Sequence, residues 1–318
     1  MEECIEGLSR RGFLKFAGVA AVSLIVPSET FGFEGKEIES MEKKLAHRIS
    51  LSSDDDSLKE AIFRTAMRMM TQTNPPYTIP YRGRRYSLEE TFSRISRFED
   101  YIKPNSYFTF NNRQITIENL ANSLFAQEAA GDERVTSESG ARGLAQLMPA
   151  TAIGLGLRVD KYVDHRLDPE LSIEKGLEYL KWQMKKNPND GRLSLIAYNA
   201  GPGIAEYLVS RGFNTLPWDK LKKKLPQKRK KHREQTIEFV EKILAMQAIL
   251  DTELIKPKNL PLYSQNFSTY FMSGRINIRK IAEKNRINFH RMREWNLHFL
   301  AEEIYSERRV EKVKIPFV

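Results

Sequence analysis

The sequence predicts a mainly α protein. Apolar residues return at helical spacing in several stretches, most clearly Ile117, Leu120, Ala121, Leu124 and Phe125. Strand-type alternation is rare in the main body. Helix breakers such as Asn74-Pro75-Pro76, Pro104, Pro188 and Gly201-Pro202-Gly203 stand between the periodic runs. With 318 residues, 41% of them apolar and 29% charged, the chain is long enough to build real cores. That balance excludes collagen-like, low-complexity and mostly disordered chains. Lys and Arg exceed Asp and Glu by 51 to 41, a net charge of +10 that favours anionic partners. The single cysteine, Cys4, excludes a disulfide framework, a cysteine zinc site and an iron–sulfur cluster within one chain.

The first element is residues 1–32. Ser9-Arg10-Arg11-Gly12-Phe13-Leu14-Lys15 precedes an apolar run from Phe16 to Val26. The run is shorter than the ~20 residues that span a bilayer. A charged segment, a short apolar one and then small residues is the layout of an export signal. Arg10-Arg11 with Phe13-Leu14-Lys15 resembles a twin-arginine signal. This predicts a periplasmic or cell-envelope protein, with no membrane span left after cleavage.

Residues 33–112 read as a helical N-terminal region. Leu58, Ile62, Ala66 and Met69 or Met70 give one helix, and Thr91, Ile95, Phe98 and Ile102 a weaker one stopped by Pro104. No chemical motif stands there.

Residues 113–252 carry the chemistry. Glu128 continues the apolar series of Ile117 to Phe125. An acid on the inner face of a helix is desolvated, which raises its pKa and suits it to donate a proton to a leaving oxygen. On periodicity alone Glu128 reads equally as that acid or as a last-turn residue frayed into solvent. Downstream stand Ser137, then Gly140-Ala141-Arg142-Gly143-Leu144-Ala145-Gln146, then Leu147-Met148-Pro149-Ala150-Thr151-Ala152. Further on come Leu167-Asp168-Pro169, Ile173-x-x-Gly176-x-x-Tyr179-Leu180, and Ala197-Tyr198-Asn199-Ala200-Gly201-Pro202-Gly203. In this order the motifs resemble the lytic transglycosylase family, the soluble type with a goose-lysozyme-like catalytic domain. The resemblance covers roughly residues 115–250. It departs at Ala129, where the family has Ser, at Ala145, where it has Met, and in the loop Ala130-Gly131-Asp132-Glu133.

Residue chemistry fits the motifs. Gln146 offers a donor and an acceptor to an N-acetyl group or hydroxyl. Pro149 suits the first turn of a helix. Ser172 reads as the cap of a helix through Ile173, Leu177, Leu180 and Met184. Trp182 reads as a packing residue or a sugar stacker, and Tyr198 as a core aromatic or a cleft-edge residue. The resemblance implies that Glu128 is the catalytic acid, that Ser137, Gln146, Tyr198 and Asn199 bind substrate, and that Tyr198 orients Glu128. It implies cleavage of peptidoglycan glycan strands between N-acetylmuramic acid and N-acetylglucosamine, closing a 1,6-anhydro ring, with no metal and no cofactor. A hydrolytic muramidase and a non-catalytic wall-binding protein of the same fold stay open.

Lys220 to Arg233 holds nine Lys or Arg, a solvated loop or an attractor of anionic wall polymers. Nucleic acid is disfavoured by export and by missing rim aromatics. Residues 253–318 carry Ile278 to Asn285, Ile287, Met292, Trp295-Asn296-Leu297 and Val313-Lys314-Ile315-Pro316. They resemble a degenerate lysin motif, a small βααβ carbohydrate-binding module, with Ser273-Gly274-Arg275-Ile276-Asn277 where its usual turn stands. Sugar binding and a merely structural cap are both compatible with this segment. The whole chain thus reads as a lysozyme-like all-α catalytic domain with a helical N-terminal extension and a small α+β, lysin-motif-like C-terminal module.

Overall fold

The helical periodicities become helices in the structure, a computed structural model that describes residues 35–72, 78–81, 84–110, 113–188, 190–226 and 230–317. The export-signal reading of residues 1–32 and the middle of the basic run, residues 227–229, lie outside the described residues. Two compact units divide the chain, each built from separate segments. One joins the described residues up to Glu89 to Leu180–Lys256; the other joins Glu90–Tyr179 to Pro257–Val318.

The first unit is helical, apart from a short hairpin pairing Ile79–Tyr81 with Arg84–Tyr86. Its long helix Lys230–Asp251 packs on the helices Gly35–Ser50, Asp56–Thr71 and Gly191–Ala200. Leu58, Ile62, Ala66 and Met69 line the buried side of Asp56–Thr71, as their spacing requires. Asp55 caps that helix, its carboxylate accepting from Leu58 N at 3.2 Å. Its second oxygen accepts from Arg192 Nη1 at 2.8 Å and Trp218 N at 2.7 Å. One side chain therefore joins three helix starts. Gly201 breaks the chain between the helices Gly191–Ala200 and Pro202–Ser210, at φ +92°.

The second unit opens with the helix Leu88–Ser96, most of which belongs to it, and the helix Glu99–Asn105; the one helix expected through Thr91, Ile95, Phe98 and Ile102 is thus two, parted by a turn at Arg97 and Phe98. Pro104 stands inside the last turn, and the chain leaves the helix one residue later. A hairpin then pairs Tyr107–Phe110 with Arg113–Thr116. Neither short hairpin is visible as alternation, because strands of three and four residues give too few repeats of period two. The helix Glu118–Ala129 follows, then a loop, then the helix Pro149–Gly154 with Pro149 in its first turn.

The next helix, Pro169–Lys186, begins earlier than its apolar spacing suggests, which corrects one expectation. Its cap is Asp168, whose Oδ1 accepts from Glu170 N at 3.0 Å and Leu171 N at 3.2 Å. Ser172 lies within the first turn, and its hydroxyl accepts from Ala145 N at 3.2 Å. Asp outcompetes Ser here because a carboxylate also answers the positive end of the helix.

The C-terminal segment runs strand, helix, helix, strand: Phe267–Asn277, Ile278–Lys284, Phe289–Trp295 and Glu303–Pro316. The strands pair antiparallel from Phe267 opposite Pro316 to Asn277 opposite Glu303, with a register shift between Met272 and Gly274. Asn277 and Asn288 cap the two helices. Ile276, Ile278, Met292, Phe299, Ile304 and Val313 form the core, and Val163 from the preceding segment is buried among them. Among the described residues no helix is long and apolar enough to cross a membrane.

Candidate active site

Glu128 sits in the last turn of the helix Glu118–Ala129, whose Ala121, Leu124 and Phe125 are buried. The helix stops at Ala130, in the left-handed region at φ +47°, and Gly131 follows at φ +70°. A Cβ at Gly131 would meet Arg94 Cβ at 2.9 Å and Ile95 Cγ1 at 3.1 Å, so only glycine allows so abrupt a turn. The turn leaves Glu128 half-buried. Desolvation pushes its carboxyl pKa from 4.5 up to about 8. Near neutrality this group keeps its proton, so it can donate one to a leaving oxygen and accept one afterwards.

The neighbouring acids have other partners. Glu133 is paired with Arg97 at 3.3 Å. Asp132 lies 3.8 Å from Arg94 and accepts from Arg134 N at 2.9 Å. Glu138 is exposed.

The loop from Val135 to Met148 is tied internally. Ser137 Oγ accepts from Ala141 N at 2.9 Å and lies 3.1 Å from Ser139 Oγ. Its backbone N donates to Ala141 O at 2.9 Å. Gly143, at φ +74°, lies so close to the next segment that a Cβ would stand 1.7 Å from Arg166 O. Gln146 has φ +46°, and its Nε2 donates to Gly143 O at 2.8 Å. Arg166, buried, spans the loop from beneath, donating to Gly140 O at 2.8 Å and Leu147 O at 2.9 Å. Asp164 fixes its guanidinium with bonds of 2.9 and 2.7 Å, and Arg142 adds a third cationic contact to that carboxylate at 2.9 Å.

Glu128, Ser137 and Gln146 therefore belong to one unit, with the two polar residues in a shared loop. Tyr198 and Asn199 belong to the other, on the helix Gly191–Ala200. Tyr198 is buried; Asn199 is exposed, with its Oδ1 2.9 Å from the Thr236 hydroxyl. Trp182 is exposed, with Lys186 Nζ 4.4 Å from its ring centre. In the basic run Lys222 lies 3.6 Å from Glu241, and Lys224 stands over the Phe213 ring. Among the described residues no group of three or more His, Cys, Asp or Glu is arranged to hold a metal ion. Sequence reasoning missed Arg166 and Asp164. An Arg two residues before the Asp168-Pro169 helix start, with an Asp two residues before it, was their only signal.

Residues 109–213 match the Transglycosylase SLT domain. That span contains Glu128, Ser137, Gln146, Tyr198 and Asn199. The chain is 46% identical over 83 residues to the membrane-bound lytic murein transglycosylase F of Serratia proteamaculans, covering 24% of this chain and 16% of that protein. It is 35% identical over 105 residues to the soluble lytic murein transglycosylase of Salmonella typhimurium, covering 31% and 16%. The membrane-bound lytic murein transglycosylase D of Escherichia coli is 26% identical over 175 residues, covering 53% and 36%. The chain thus spans between 16% and 36% of the length of these relatives. Among solved structures, the complex of the 70-kDa soluble lytic transglycosylase with bulgecin A aligns at a TM-score of 0.43 and 21% identity, covering 70% of this chain and 32% of that one.

Proposed function

We propose that the protein is a peptidoglycan lytic transglycosylase that cleaves the β-1,4 bond between N-acetylmuramic acid and N-acetylglucosamine. The observation that carries this reading is Glu128, a carboxyl raised to about 8 within the segment that matches the SLT domain. Glu128 protonates the bridging oxygen, and the bond to the muramoyl carbon 1 breaks. The substrate's own acetamido group stabilises that carbon. Glu128, now ionised, takes the proton from the muramoyl carbon-6 hydroxyl, whose oxygen closes the 1,6-anhydro ring. No water is consumed and Glu128 ends protonated, as it began.

A hydrolase of the usual kind needs a second carboxylate free to act as nucleophile or base. The ion pairs of Asp132 and Glu133 with Arg94 and Arg97 favour the single-carboxyl route. By the resemblance of the motifs, Ser137, Gln146, Tyr198 and Asn199 are taken as the substrate-binding residues. The same reading takes residues 113–252 as the catalytic segment, the C-terminal segment as lysin-motif-like, and residues 1–32 as a twin-arginine signal directing export to the periplasm. Anionic wall polymers are the partners of Lys220–Arg233.

The test is the mass of fragments released from purified peptidoglycan by the wild type and by Glu128→Gln. The wild type should release anhydromuramoyl ends. The variant should bind the same strands and lose at least about a hundredfold in rate, the scale of acid–base catalysis. A variant that retains the wild-type rate removes Glu128 from the mechanism.

A further inference from the structure

Strand alternation would turn a lysine between Val313 and Ile315 toward solvent. Lys314 is instead fully buried, at 0% exposure, with its ammonium 5.3 and 5.4 Å from the ring centres of Tyr263 and Phe267. An isolated buried cation is expensive, and this one is matched by Asp168, also at 0%, with Nζ 2.6 Å from Oδ2. Asn296 fixes the lysine backbone on both sides, accepting from Lys314 N at 2.8 Å and donating to Lys314 O at 2.6 Å. Burial alone would raise the Asp168 carboxyl; the attraction of the Lys314 ammonium overrides it and holds the group well below the usual carboxylate range.

We propose that the C-terminal segment is a fixed part of the unit carrying Glu128, and that Lys314, acting through Asp168, is a positioning residue for the loop bearing Gln146. The positioning role rests on the glycan-cleaving reading above; the fixed attachment does not. The connection runs through short bonds. Asp168 Oδ1 caps the helix Pro169–Lys186, and its backbone oxygen accepts from Ser172 N at 2.8 Å. The Ser172 hydroxyl holds Ala145 N, the residue before Gln146. Gly143, two residues earlier, lies against the Arg166 carbonyl in the same segment.

The attachment has a second and a third arm. Glu311 accepts from Arg158 at 2.8 Å and lies 2.7 Å from His165 Nε2, while Lys312 reaches Glu170 at 2.5 Å. Backbone bonds of 2.7 Å join Asp164 N to His298 O and Leu300 N to Tyr162 O. A module that docks and releases closes its own core and keeps its charges solvated on the docking face. Here Val163 completes the module's core, and a buried ion pair joins Lys314 of the C-terminal segment to Asp168 of the same unit's earlier segment. Release would leave either ion uncompensated.

The full chain tests this as Lys314→Met, Asp168→Asn and the double variant. Lys314→Met leaves Asp168 with only the buried His298 ring, 3.7 Å away, beside its charge, and Asp168→Asn leaves the Lys314 ammonium without its counter-charge; the double removes both charges, and Asn keeps the helix cap. Hydrogen exchange at the Ala145 and Gln146 amides should quicken at least about tenfold in each single variant and return to within about threefold in the double. Amides of the helix Asp56–Thr71 should not change. On a short soluble muropeptide oligomer, KM should rise about tenfold in each single variant and recover in the double. A merely structural role lowers the folded fraction, which scales kcat and leaves KM alone; that result overturns the positioning claim. If Lys314→Met fails to fold, Asp168→Asn against the double variant reads the same coupling. Unchanged exchange at Ala145 and Gln146 in Asp168→Asn overturns the proposal even if the wild type proves not to cleave glycan.

Discussion

Glu128 owes its chemistry to the place where its helix ends. One turn earlier it would lie inside the apolar core; two residues later it would pass into the left-handed turn at Ala130. Burial raises its pKa from 4.5 to about 8, so the folded protein keeps a proton that the unfolded chain releases between those values. Two outcomes follow. On the proposed mechanism cleavage should decline as pH rises through about 8, because there only the protonated acid begins the reaction, and a pH–rate profile of kcat/KM reads this directly. Stability should fall as pH rises across the same window. Glu128→Gln, which cannot titrate, should flatten that slope in melts taken between about pH 5 and pH 8.5. Gly143 works by absence. A methyl there would stand 1.7 Å from Arg166 O at a backbone angle that L-residues resist. Gly143→Ala should cost on the order of 4 kcal/mol in urea denaturation, among the large single-site effects.

Several helices in this chain are held at their starts by an Asp or Asn side chain. Asp55 accepts from Leu58 N, Arg192, Trp218 N and the Ser57 hydroxyl, so its removal uncaps one helix and takes an acceptor from three further donors, Arg192 keeping its bonds to Asp190 and Leu216 O. Asp55→Ala should cost about 2–4 kcal/mol by denaturant unfolding, a cap plus a charged hydrogen bond. How far such elements are legible depends on range. The helix Asp56–Thr71 is readable because Leu58, Ile62, Ala66 and Met69 repeat locally, and Gly201-Pro202 announces its own break. Glu128 is readable as an inward acid only with the motifs downstream, since periodicity does not fix the last turn of a helix. Ser172 shows the other limit. It is a sound cap by composition, but Asp168 takes that role, its buried charge compensated by Lys314, 146 residues away. No local pattern encodes that partner. Arg166 is hidden likewise: its value lies in carbonyls at Gly140 and Leu147 that only the folded loop brings to it.

At the scale of the whole molecule, charge and fold act separately. The basic run lies on the unit that carries Tyr198 and Asn199, and two of its lysines have structural neighbours, Lys222 at Glu241 and Lys224 at Phe213. Changing Lys220, Lys223, Lys228, Lys230 and Lys231 to Gln spares those contacts. If the run draws the protein to anionic walls, the variant should bind intact walls several-fold more weakly and respond less to salt, since exposed charges are screened over about 8–10 Å at physiological salt. Sedimentation with walls over a salt series measures this. The central claim concerns bond chemistry: one carboxyl, no water. Digestion of purified peptidoglycan in water enriched in oxygen-18, followed by mass spectrometry of the new muramoyl ends, tests it most directly. The account predicts ends lighter by one water than reducing ends and free of the heavy isotope. Reducing ends that carry oxygen-18, or no new ends at all, would contradict it.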